Sequence, residues 1–175
     1  KLLVLIFVLM YFLDWGYTYV YSHAEPRNKL QYIRLLNHQK YDVVFLGSSR
    51  TANHIDNHLF DRLSHLKSIN LGVDGATLAD NLLELKLFLR KNSMNYLFLQ
   101  IDNNLEHLKP SNISLAEAMP FLSDSVVFNH SKQFIEQSEA LKSIPFYRYA
   151  LNDAKIGFRE LLLSALHKKP AIDLS

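Results

Sequence analysis

Three short apolar runs constrain this chain more than any other feature. Each is closed by a polar or glycine-rich turn, and amphipathic stretches separate them. The first lies in Tyr41-Asp-Val-Val-Phe-Leu-Gly-Ser-Ser-Arg50, where Val43 to Leu46 stop abruptly at Gly47-Ser48-Ser49-Arg50. The second is Ser68 to Leu71, which runs into Gly72-Val-Asp-Gly75-Ala-Thr77. The third is Tyr96 to Ile101, closed by Asp102-Asn103-Asn104. The first run reads as a buried strand, the second and third as strands, and the residues that end them as turns. Between the first two lies a short amphipathic helix, Ile55 to Leu63, with Leu59, Phe60 and Leu63 expected inward. Between the second and third, Thr77 is a plausible N-cap for a helix to Lys91, with Leu78, Leu82, Leu85 and Leu89 on one face. Strand, helix, strand, helix, strand is the order of a parallel α/β sheet with right-handed crossovers.

Ahead of this lies a different kind of sequence. Leu2 to Leu13 is unbroken apolar sequence, Asp14 interrupts it, and Trp15-Gly-Tyr-Thr-Tyr-Val-Tyr21 follows. The stretch is long enough to cross a bilayer as a helix, which takes about 20 residues. Trp15, Tyr17, Tyr19 and Tyr21 suit an interfacial belt where the helix leaves the membrane. Asp14 is then expected near that interface, where a carboxylate is less costly than at mid-membrane. No small-residue cleavage site follows, as a signal peptide would require. The same stretch also has a plain reading as a buried core helix, but its length and aromatic flank favour an anchor. The expected division is an anchor over 1–22, a stalk or first helix over 23–40, and an α/β domain over 41–175. The chain begins with Lys rather than Met, and is expected to be the N-terminal part of a longer product.

After Asn104 the pattern turns helical. Ser114 to Met119, Ser131 to Lys142 and Phe146 to His167 read as helices interrupted at Pro120 and Pro145, with a weak strand at Val126 to Phe128. The region from about 105 to 169 is expected to be a helical insertion. Three strands make a small sheet, so further strands are expected beyond Ser175.

Composition removes several function classes. The net charge of +2 and the scattered Lys and Arg residues give no nucleic-acid footprint. The absence of cysteine excludes disulfides, thiol catalysis and thiolate metal sites. His54, His58 and His65 fall at mixed spacings, without H-E-x-x-H or a comparable ligand pattern, so no metal or cofactor is expected.

In open parallel sheets the site forms outside the carboxyl ends of the strands. The three turns should therefore converge. Ser49, between a buried strand and a helix, has a hydroxyl well placed to act as a nucleophile, near backbone N–H groups. Arg50 beside it offers a cation for an anionic headgroup or phosphate. Each group also has a plain structural reading: a helix cap at Gly47-Ser48-Ser49, loop glycines, turn-forming asparagines and a surface ion pair at Arg50.

The three blocks together resemble the SGNH, or GDSL-like, hydrolase superfamily. The closest likeness is to its membrane-anchored cell-envelope members that carry G-S-S in place of G-D-S. The resemblance covers roughly residues 41–104. It implies that Ser49 is the nucleophile, with Ser48 where the usual aspartate stands. It implies an oxyanion hole from the Gly75 N–H, with Gly72 as the fallback, and from the Asn104 amide, with Asn103 as the fallback. It also implies a three-layer parallel sheet of SGNH or flavodoxin-like kind, incomplete here. The family's late D-x-x-H, which supplies the base and its orienting carboxylate, has no counterpart in these 175 residues.

The function implied is a single-pass, extracytoplasmic serine esterase or O-acyltransferase. Its partners would be the membrane and a cell-envelope glycan or acyl donor protein, with no cofactor. The alternative is a non-catalytic scaffold or binding protein of envelope polysaccharide assembly. A nucleotide-binding domain using Gly72 to Thr77 ranks last, since neither G-x-G-x-x-G nor G-K-[ST] is present.

Overall fold

The computed structural model describes residues 1–101 and 108–151, together with residues 159, 162, 163, 165 and 166. They form two compact units, one within residues 28–114 and one joining residues 1–27 to the described residues from 115 onward.

The first unit is α/β. It contains α2 (Lys29–Leu35), β1 (Lys40–Leu46), α3 (Ser49–His54), α4 (Asn57–Ser64), β2 (Ser68–Asn70), α5 (Leu78–Leu89) and β3 (Ser93–Leu99). All three strands are parallel in the order β2-β1-β3. The register sets Phe45 against both Asn70 and Phe98, and Leu46 against Leu99. All three carboxyl ends thus lie on one edge, as the alternating pattern requires. Val43, Val44, Phe45 and Leu46 of the central strand are buried, which explains why this run carries no alternating polar residues. Phe60 of α4 packs edge-on against Phe45 at 5.2 Å, and Phe88 of α5 lies 5.9 Å from Tyr41.

Three expectations about this unit need correction. The helix expected over Ile55 to Leu63 begins at Asn57, because Asp56 caps it by accepting from the Leu59 N–H at 2.9 Å, and a separate short helix, α3, precedes it. Of the three apolar residues expected inward, Phe60 alone packs on the sheet, while Leu59 is exposed and Leu63 is 72% exposed. Helix α5 is turned the other way round. Its buried row is Ala79, Leu83 and Leu87 beside Asp80, Glu84 and Phe88, and Leu78, Leu82 and Leu89 are exposed. A helix rich in leucine on both sides leaves its orientation to packing, and the row holding Phe88 wins. Thr77 does cap this helix, in a reciprocal box with Asp80. Helix α2, read as a stalk or first helix, buries Leu30 and Ile33 in the unit, and Lys29 Nζ donates to the Asn70 carbonyl at 2.7 Å.

Strand β3 is one of the two edge strands of this sheet. It is apolar on both faces yet open, with Tyr96 64% and Phe98 57% exposed.

The second unit is helical. It holds α1 (Leu2–His23), most of α6 (Asn112–Ala118), a 3₁₀ turn at Met119–Phe121, α7 (Ser125–Ser131), α8 (Ser138–Ser143) and α9 (Tyr147–Leu151). Val126 to Phe128, the weak strand of the sequence reading, is helical. Asp124 accepts from the Val126 N–H at 2.9 Å and starts α7 there. The helix expected over Ser131 to Lys142 is interrupted, and α8 begins only at Ser138. Among the described residues one helix, α1, is long and apolar enough to cross a membrane.

Candidate functional site

The first turn is built by a residue the sequence reading passed over. Ser48 has the extended backbone of an N-cap, but its side chain does not cap α3. Gln100, directly after β3, takes that role from across the sheet edge. Its Oε1 accepts from the Ser48 N–H at 3.3 Å and the Ser48 hydroxyl at 3.4 Å. It also accepts from the Thr51 N–H at 3.1 Å and the Thr51 hydroxyl at 2.8 Å. The Gln100 N–H in turn donates to the Leu46 carbonyl at 2.8 Å. The signal was a single polar residue at the end of the apolar run YLFLQI.

Gly47 is required by this arrangement. A Cβ there would collide with the Thr51 hydroxyl and lie 2.7 Å from the Gln100 Cβ. Gly72 is required for the same kind of reason. Its Cβ would stand 2.5 Å from the Ala52 nitrogen and 2.8 Å from the Thr51 Cβ. Both glycines let loops approach α3 more closely than any side chain permits.

The second loop is tied to α3 by Asn70. Its amide donates to the Thr51 carbonyl at 2.8 Å and the Ile55 carbonyl at 2.9 Å, and its Oδ1 accepts from the Gly72 N–H at 2.9 Å. The Val73 N–H reaches the Gly47 carbonyl at 3.1 Å. Asn53 of α3 donates both to the Ser49 carbonyl at 2.9 Å and to Asp74 at 3.0 Å. All three strand ends are therefore brought together: Gly47 to Thr51, Asn70 to Asp74, and Gln100.

Within this cluster Ser49 opens α3 and is exposed, and its hydroxyl makes no hydrogen bond among the described residues. Ser48 is buried. Arg50 is exposed on the same turn. Gly75 is exposed at φ +71°, the left-handed conformation that favours glycine. Its N–H makes no hydrogen bond among the described residues, whereas the Gly72 N–H is turned onto Asn70. Asn103 and Asn104 lie outside the described residues. His54 and His58 are exposed on α3 and α4, and neither bonds Ser49. No group of three potential metal ligands occurs among the described residues.

The arrangement presents the exposed Ser49 hydroxyl and the Gly75 N–H at the carboxyl edge of the sheet. Comparison with protein-family models, with curated proteins and with solved structures finds no match for this chain.

Proposed function

We propose that this chain is the N-terminal part of a membrane-anchored serine esterase or O-acyltransferase of SGNH-like kind, acting on a cell-envelope glycan outside the cytoplasm. The observation that carries the reading is Ser49: an exposed hydroxyl at the first residue of α3, at the edge where all three strand ends meet. Helix α1 supports the membrane half of the reading.

In this mechanism Ser49 Oγ attacks the acyl carbonyl carbon. Its proton passes to the histidine base that the resemblance assigns to a later D-x-x-H. The Gly75 N–H and an asparagine amide stabilise the oxyanion, each donor contributing about 3 kcal/mol. The leaving oxygen departs with the proton from that histidine. Water or a glycan hydroxyl then takes the acyl group from Ser49, which makes the enzyme a hydrolase or a transferase. Arg50 is assigned to an anionic group of the substrate.

A non-catalytic scaffold is the second reading. It is favoured by Gln100, whose carbonyl already occupies the Ser48 and Thr51 N–H groups. Labelling of the full-length membrane protein with a fluorophosphonate separates the two. The enzyme reading expects adduct on Ser49, abolished by Ser49→Ala and kept by Ser48→Ala. Failure of the folded wild-type protein to label, with binding to envelope glycan retained, establishes the scaffold instead.

A further inference from the structure

Helix α1 is 22 residues long, but its two halves live in different surroundings. From Leu2 to Leu13 the side chains are exposed, apart from a partly covered Met10. From Asp14 onward one stripe is taken up by protein: Asp14, Tyr17, Thr18 and Tyr21, at the spacing of a single helix face. Tyr17 packs against Phe146 at 5.2 Å and Tyr149 at 5.0 Å.

The only Asp, Glu, Lys or Arg residue in the helix is answered in the same place. One Asp14 oxygen accepts from the Arg148 guanidinium and the other from the Phe146 N–H at 2.8 Å. Arg148 Nη2 also donates to the Thr18 hydroxyl at 2.9 Å, and that hydroxyl shares a 2.7 Å bond with the Tyr149 hydroxyl. The two charged side chains are 19% and 6% exposed. On the uncovered side of this half, Trp15 and Tyr19 stack at 5.5 Å and remain 61% and 51% exposed.

We propose that the hydrocarbon–water boundary on the α9 side of the helix falls at Asp14–Trp15, not at Tyr21. The partner of the naked half is a phospholipid bilayer. Leu2 to Leu13, about 18 Å long at ~1.5 Å per residue, enter it without crossing it by themselves. The partner of the other half is the protein's own helical unit, which meets α1 through the Phe146–Tyr149 segment and the Met119–Phe121 turn and stands on the membrane surface. The inference rests on the membrane anchoring proposed above and on nothing about Ser49. Three observations support it. Leu2 to Leu13 carries no polar side chain other than Tyr11. Trp15 and Tyr19 are aromatics with a polar edge, the kind enriched at the headgroup level. Tyr17 and Tyr21, buried in protein, have no surface left for a lipid belt. A boundary at Tyr21 would carry the Asp14–Arg148 pair about 10 Å deeper, at ~1.5 Å per residue, and would draw α9 into hydrocarbon with it. Charged groups there are strongly disfavoured.

These 175 residues hold no cysteine and a single tryptophan, and any cysteine or tryptophan outside them in the full-length protein is first replaced by serine or phenylalanine. Single cysteines replace Leu9, Gly16 and His23 in the full-length protein, reconstituted in phosphatidylethanolamine–phosphatidylglycerol vesicles. A side chain at Gly16 meets nothing within 4 Å, so Gly16→Cys leaves the packing alone. Reaction with a polar maleimide is compared before and after detergent. The expected result is protection of Leu9→Cys, with Gly16→Cys as reactive as His23→Cys. Trp15 fluorescence is expected to be quenched by shallow rather than deep brominated acyl chains. Protection of Gly16→Cys to the level of Leu9→Cys, with deep quenching of Trp15, overturns the proposed boundary and leaves the anchor standing. Release of the protein from its native membranes by high-salt and urea washes overturns both.

Discussion

The side-chain carbonyl of Gln100 lies 2.8 Å from the Thr51 hydroxyl and 3.1 Å from the Thr51 backbone nitrogen, and accepts from both. Thr51 is almost wholly buried, so losing this acceptor leaves donors without water. Gln100→Ala is expected to lower unfolding free energy by about 2 kcal/mol, the range for orphaned buried donors. Gln100→Glu keeps an acceptor in place and adds a negative charge beside helix N–H groups, so it is expected to cost less than half as much. Urea unfolding of the pair measures the difference. Equal losses would mean that bulk rather than hydrogen bonding matters at this position.

The glycines should separate into two classes. Gly47→Ala and Gly72→Ala force a Cβ into Thr51, Gln100 or the α3 backbone. Each is expected to cost roughly 2–4 kcal/mol, as overpacking against backbone does. Gly75→Ala meets nothing within 4 Å, and only its φ of +71° is unfavourable. It is expected to cost about 1 kcal/mol. On the proposed mechanism its effect on fluorophosphonate labelling exceeds its effect on the unfolding midpoint. A Gly75→Ala protein that loses stability like Gly72→Ala would show that the loop is packed more tightly than its geometry implies.

This contrast also shows what was legible in the sequence. The order of strands and helices was readable, because short apolar runs closed by polar turns are too short for helices and alternate with amphipathic stretches. That Gly47, Ser49 and Gly75 sit at the carboxyl edge follows from the same pattern. The partners across the edge were not readable. Gln100 caps a helix 49 residues earlier in the chain, and no local rule links the two. Asn70 looked like the end of a strand, yet it fastens α3 to the following loop. The orientation of α5 was hidden by leucines on both sides, and helix α3 by its lack of apolar residues other than Ala52. Asp14 was legible as an interruption in an apolar helix, but its answer, Arg148, lies 134 residues away.

Asn70 gives a third prediction. Both of its amide bonds go to carbonyls of the α3 segment, and its oxygen holds the Gly72 N–H. Asn70→Asp retains the acceptor but turns the donor side into a charge facing two carbonyl oxygens. Asn70→Asp is therefore expected to be the more damaging of two substitutions, about 3 kcal/mol against about 2 kcal/mol for Asn70→Ala. The order of the two unfolding midpoints is the check. Asn70→Asp as stable as wild type would show that the loop takes up another way of meeting α3.

Alkaline pH should loosen both units through one tyrosine each. Burial pushes the Tyr41 hydroxyl up to about 12, helped by the neighbouring Tyr32 hydroxyl and the Asp61 carboxylate. Burial also pushes Tyr149 up to about 12, against the opposing pull of Arg148. A tyrosine is neutral when protonated, so the folded state holds these protons more tightly than the unfolded chain does. Below pH 10, the ordinary tyrosine value, both states are protonated and the contribution to stability is complete. Between about pH 10 and 12 the unfolded chain ionises first, and stability falls by on the order of 1 kcal/mol per pH unit for each residue. Tyr41→Phe should flatten this decline for the α/β unit while leaving the helical unit unchanged. Tyr149→Phe should do the converse, with a constant loss at neutral pH from the 2.7 Å bond to Thr18. Hydrogen exchange of the two units followed from pH 8 to 11 reads both slopes in one experiment. A decline in the α/β unit that survives Tyr41→Phe would place its cause in another group.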